Sequence, residues 1–83
     1  MQETDISALV IEELTTIAPE VEEIELDPNA NFRDQFDFDS INYVSLVMAL
    51  NSRLDIHIPE VDYPKLSSLN GCVRYIQTLI GEK

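Results

Sequence analysis

From Ser40 to Leu54, apolar residues recur on more than one face of a helix, and few folds accommodate that pattern. Leu46, Val47, Leu50 and Leu54 form one stripe, while Ile41, Val44 and Met48 form a second, displaced round the helix. Such a helix needs other helices around it. Ile6, Leu9, Val10, Leu14 and Ile17 predict one from about Thr4 or Asp5 to Ala18, with Pro19 as the stop. Ser68 caps another that runs to about Ile80, with Leu69, Val73, Ile76 and Ile80 facing inward, Gly71 weakening its first turn and Gly81 ending it. Asp55 to Pro59 reads as irregular, with Ile56 and Ile58 turned inward and His57 on the surface. Pro59-Glu60 can open a third helix, but Pro64 disfavours helical geometry at Tyr63, so one turn at most is expected there. The fold class is all-α: a small four-helix bundle, with a long first loop and a short third helix, formed as a single domain over residues 1–83.

Residues 19 to 39 make a long connection for so small a bundle. Glu20, Glu22, Glu23, Glu25 and Asp27 alternate with Val21, Ile24 and Leu26, which reads as a solvated segment and only weakly as a divalent-cation site. Phe32 and Phe36 are expected to pin the loop to the core, and Pro28-Asn29 marks a turn. Asp37-x-Asp39 is no EF-hand: no glycine holds the sixth position, and Met48 stands at the twelfth in place of Glu.

Sixteen acidic against five basic residues give a formal net charge of −11. Nucleic acid and anionic membrane surfaces are poor partners for such a chain, which is steered instead toward proteins with basic patches. Self-repulsion predicts a fold strengthened by salt or divalent cations. A hydrophobic content of 45% still suffices for a compact core. No apolar run reaches membrane-spanning length, and Glu3 and Asp5 are unlike the start of a signal peptide, so a cytoplasmic monomer is expected. Cys72, the only cysteine, lies in an apolar helical pattern as a buried thiol and allows no disulfide within the chain. One histidine, that cysteine and no glycine-rich phosphate loop leave no nucleophile–base pair, so no enzyme and no metal site are expected.

Phe36-Asp37-Phe38-Asp39-Ser40-Ile41 places a serine hydroxyl at the mouth of the central helix. Asp or Ser before an apolar run is ordinary capping chemistry. The wider pattern says more. Asp39-Ser40-Ile41 resembles the attachment site of acyl carrier proteins, followed at that family's spacing by Leu46-Val47-Met48-Ala49-Leu50 and Leu54-Asp55-Ile56-His57-Ile58-Pro59-Glu60. Leu66, Ser68, Leu69 and Val73-Arg74-Tyr75-Ile76 resemble the family's last helix, so the likeness runs from about Leu9 to Ile80. The resemblance implies a 4'-phosphopantetheine arm, donated by coenzyme A and attached to Ser40 by a phosphopantetheinyl transferase. The arm's thiol, not Cys72, would carry acyl groups as thioesters between acyl-loading and acyl-modifying enzymes. It also implies docking through Asp39, Ile41, Val44, Ser45 and Met48, and an acyl pocket drawn from Phe32, Phe36, Leu46, Leu50, Ile58, Tyr63 and Leu66.

The chain departs from that family in three places. No Asp or Glu lies between Ser40 and Leu54; Asn42, Ser45, Asn51, Ser52 and Arg53 stand at outward positions that are rich in acids in fatty-acid carriers. Asp37 replaces a common glycine, and Tyr43 and Tyr63 stand where smaller residues are usual, near the expected pocket mouth. These differences suggest a specialised carrier for a lipid or secondary-metabolite pathway. An aminoacyl or peptidyl carrier, and an acidic docking module that is never modified, are the alternatives.

Overall fold

The computed structural model describes residues 2–81, and among them the secondary structure is helical, with one isolated bridge between Asn31 and Ser68. Helix α1 (Glu3–Ile17) buries Ile6, Val10 and Leu14, the residues its spacing singles out. Pro19 ends it and opens a 3₁₀ segment, Pro19–Glu23, whose Val21 is buried between exposed glutamates. The acids of the run are solvated as expected, while Val21 tethers the segment to the core.

The rest of the long connection is closed by one side chain. Gln35 donates from Nε2 to the carbonyls of Asp27 (2.9 Å) and Ala30 (3.1 Å), and its Oε1 accepts from the Asp27 amide at 2.6 Å. Helix α2 (Phe32–Gln35) is a single turn that drives Phe32 into the core. Two backbone hydrogen bonds, Phe32 N–H to Ser67 and Asn70 N–H to Pro28, fasten this loop to the start of the last helix at 2.9 Å each.

Helix α3 (Ser40–Leu54) buries Leu46, Val47 and Leu50. It ends at Asp55, which takes the left-handed conformation (φ 53°) that a short polar side chain tolerates. Next comes a second 3₁₀ segment, Glu60–Leu66, seven residues long and so longer than the single turn expected. Pro59 precedes it in extended geometry, and Pro64 fits within it because tighter 3₁₀ winding replaces the α geometry that Pro64 denies to Tyr63. Helix α4 (Leu69–Gly81) starts where Ser68 Oγ accepts from the Gly71 amide at 3.0 Å.

Helix α1 packs on both α3 and α4, and the second 3₁₀ segment packs on α4. The core where they meet contains Val10, Leu14, Leu46, Leu50, Leu66 and Ile76, each inaccessible to solvent. Truncating any one of these leucines to alanine would cost about 2–5 kcal/mol.

Candidate functional site

Asp39 closes the amino end of α3. Its carboxylate accepts from the Asn42 amide at 2.8 Å, its own amide donates to Asn42 Oδ1 at 3.2 Å, and its carbonyl accepts from the Tyr43 amide at 3.0 Å. Capping thus falls to Asp39, and Ser40, first residue of the helix, is exposed with its hydroxyl released from that task. The amides of Ser40 and Ile41 precede the first intrahelical acceptor. They give the helix mouth positive character beside the hydroxyl. An exposed primary alcohol next to such donors suits a phosphodiester linkage.

Along α3 from Ser40, the second apolar stripe faces solvent. Ile41 is 77% exposed, Val44 45% and Met48 58%. Asp39 and Ser45 are exposed beside them, which brings all five expected docking residues onto open surface. Val61, 82% exposed on the second 3₁₀ segment, is a further uncovered apolar side chain. Sequence reasoning passed over it because that segment was expected to be a single turn. Two of the polar residues expected to face outward have structural tasks instead: Asn42 completes the cap, and Asn51 Oδ1 accepts from the Ile58 amide at 3.1 Å. Arg53, the one ionised side chain of α3, is held by Glu12 (3.1 Å) and Glu13 (2.6 Å) of α1. Those partners, Glu12 foremost, raise its pKa above the ordinary value. The exposed α3 surface is therefore apolar and close to neutral, on a chain that is otherwise strongly acidic.

A cleft of about 360 Å³ opens next to the turn that presents Ser40. Phe32, Phe38 and Tyr43 line it, with Asn31, Arg33, Pro64 and Ser67 completing its walls. The rings form a connected series: Phe32 to Phe38 at 5.6 Å, Phe38 to Tyr43 at 6.0 Å, and Tyr43 to Tyr63 at 6.3 Å between centroids. The Tyr43 hydroxyl donates to the Tyr63 carbonyl, and burial pushes its pKa up to about 12. Of the seven expected pocket residues, Phe32 lines this cleft. Phe36 packs beside it, 5.4 Å from the Phe38 ring, and Tyr63 supports Tyr43. Leu46, Leu50, Ile58 and Leu66 are sealed in the core. Asn31, Arg33, Phe38, Pro64 and Ser67 were missed as lining residues, while Tyr43 stands at the cleft as expected. The Phe36-Asp37-Phe38 alternation carries a signal for Phe38, since the exposed aspartate between two rings marks an extended stretch lying against the core.

Cys72 is buried, its Sγ 3.3 Å from the Leu66 carbonyl, and burial pushes its thiol up to about 12. No cluster of three His, Cys, Asp or Glu side chains suited to a metal ion occurs among the described residues, and none of their helices is long and apolar enough to cross a membrane.

The family described as "Phosphopantetheine attachment site" matches residues 5–76. The chain is 35% identical to the acyl carrier protein of Wolinella succinogenes over 74 residues, spanning 89% of this chain and 91% of the relative. It is 31% identical to that of Chlamydia felis over 80 residues (96% of each chain) and 33% identical to that of Helicobacter hepaticus over 72 residues (87% and 88%). No solved structure matches. With a family match spanning most of its length, and a free hydroxyl at the mouth of α3, the chain belongs to the acyl carrier protein family and has 4'-phosphopantetheine as its covalently bound prosthetic group.

Proposed function

We propose that Ser40 bears the arm, and that residues 1–83 act as one carrier unit dedicated to a specialised lipid or secondary-metabolite pathway. The observation that carries the first part is the division of labour at the start of α3, where Asp39 caps and Ser40 stays exposed. In the transfer, Ser40 Oγ forms a bond to the phosphorus that will link it to pantetheine. The pyrophosphate bond of coenzyme A breaks, adenosine 3',5'-bisphosphate leaves, and the hydroxyl proton passes to a base of the transferase. The Ser40 and Ile41 amides then face the new phosphodiester. Acyl groups travel as thioesters on the arm's thiol. The protein supplies the docking stripe of Ile41, Val44 and Met48 to each enzyme in turn.

The dedicated role rests on charge. Complementary charge sets both encounter rate and partner choice. With no carboxylate from Ser40 to Leu54, and Arg53 engaged by α1, this stripe offers little to enzymes whose basic patches expect acids on the corresponding helix. Supplied as holo-protein to a reconstituted general fatty-acid synthase, the chain is expected to be elongated at least tenfold more slowly than the synthase's own carrier. Equal rates would contradict the dedicated role.

A further inference from the structure

The second 3₁₀ segment divides the surface into two faces. Side chains three apart eclipse in 3₁₀ winding, which pairs Val61 with Pro64 and Asp62 with Lys65. Pro64 belongs to the cleft beside Ser40, whereas Asp62 and Lys65 line a separate groove against α4. The α4 wall is formed by Gly71, Arg74, Tyr75 and Thr78, at helical spacing, and by Leu79. This groove holds about 620 Å³ and is open to solvent. It shares no residue with the cleft or with the exposed stripe of α3.

Most polar groups of the groove are engaged within the protein. Asp62 accepts from the Tyr75 hydroxyl at 2.6 Å through one carboxylate oxygen and from Lys65 at 3.3 Å through the other. The Thr78 hydroxyl donates to the Arg74 carbonyl at 3.0 Å. Lys65 is thereby held in place, its Nζ 6.0 Å from the centroid of the Tyr75 ring. Two sets of donors remain for an occupant: the Arg74 guanidinium, which has no carboxylate partner among the described residues, and the unused N–H groups of Lys65. Arg33 also lacks such a partner. What distinguishes Arg74 is a second cation, already positioned, in the same recess of a chain with five basic residues in all.

Cationic donors beside the Tyr75 ring and exposed Leu79 select an occupant that is both anionic and apolar. A small ligand would leave much of its surface in water in so open a groove, whereas a chain segment laid along it reaches both cations. We propose that this groove is a second docking surface, taking an acidic amphipathic segment of a partner protein, with carboxylates on Arg74 and Lys65 and an apolar side chain against Tyr75 and Leu79. Its place on the other face of the 3₁₀ segment lets that partner stay bound while Ser40 and the α3 stripe meet successive enzymes. The proposal does not depend on Ser40 bearing the arm.

The test uses the full chain, with and without its arm, and a fluorescein-labelled, helix-forming peptide with glutamates on one face and leucines on the other. A counterpart peptide with glutamine at every glutamate, and citrate, serve as comparisons. Nitrogen-15 NMR should show the acidic peptide shifting the amides of Gly71, Arg74 and Thr78 but not those of Ser40, Val44 and Met48, with or without the arm. By fluorescence anisotropy, the glutamine peptide should bind at least fivefold more weakly. Arg74→Gln should weaken the acidic peptide at least threefold and Arg74→Gln with Lys65→Gln at least tenfold, at unchanged helical circular dichroism, whereas Arg33→Gln should leave it within twofold. Absent binding, equal binding of the two peptides, or shifts confined to the α3 stripe would overturn the proposal. So would citrate shifting the Arg74 and Lys65 side chains as strongly as the peptide, which would mark a simple anion site. Self-association in sedimentation that moves the same amides would overturn it in favour of an interface between copies.

Discussion

A Cβ built on Gly71 would stand 2.5 Å from the carbonyl oxygen of Lys65 and 3.1 Å from Ser68 Oγ. The nearer atom belongs to the backbone and cannot swing aside. Gly71→Ala gains about 1 kcal/mol of helix propensity but forces a steric shift costing about 1–3 kcal/mol, so net destabilisation is expected in a urea melt. Unchanged or increased stability would show that the second 3₁₀ segment yields easily. In the sequence this glycine reads only as a weak point in a helix, because the carbonyl it makes room for lies in a different element. Cys72 sits one position on, and its burial was legible from the apolar period. Its pKa rises from 9.0 to about 12 on folding. Between those values the unfolded chain has released a proton that the folded chain retains, so stability falls as pH climbs from 9 toward 12 and is unaffected by this thiol below 9. Chemical melts of the native chain and Cys72→Ala across that range should show a steeper loss for the native chain; parallel curves would contradict the assignment.

At the level of elements, α1, α3 and α4 were readable because each repeats its apolar residues at helical spacing and carries a local start or stop signal. Asp39 and Asp55 bracket α3, Pro19 stops α1, and Ser68 opens α4. The second 3₁₀ segment was legible only in part, since Pro64 excludes one helical geometry without naming the tighter one that replaces it. The two stripes of α3 could not be told apart by period alone; packing of α1 decides which one is buried. The neutral outer face of α3 is testable at this scale. Ser45 and Ser52 are exposed, so Ser45→Glu with Ser52→Glu should alter stability by no more than about 0.5 kcal/mol per site. The same pair should raise the elongation rate by a general synthase several-fold. No gain in rate, with the fold intact, would place the selectivity elsewhere than in charge.

Across the whole molecule the net charge is −11, the ion pairs among the described residues engage only Arg53 and Lys65, and repulsion is spread over α1 and the loop that follows it. Screening acts over roughly 10 Å at 0.1 M salt, so raising sodium chloride from 0.01 to 0.5 M should lift the melting temperature by several degrees. A midpoint indifferent to salt would mean that repulsion is not a major load on the fold. The cleft also belongs to this scale. Its walls come from residues 31–43 and 64–67, joined by the Phe32–Ser67 hydrogen bond, and no local pattern announces that meeting. Ser40 is different, since its neighbours in sequence are also those that define its environment. The most direct measurement is therefore intact mass, with peptide mapping, after incubation with coenzyme A and a broad-specificity phosphopantetheinyl transferase, for the native chain and Ser40→Ala. The account predicts one phosphopantetheine on the peptide containing Ser40 and none on the variant, with both chains giving the same helical circular dichroism. An arm on any other residue, or a folded native chain left unmodified while a control carrier is loaded, would contradict it.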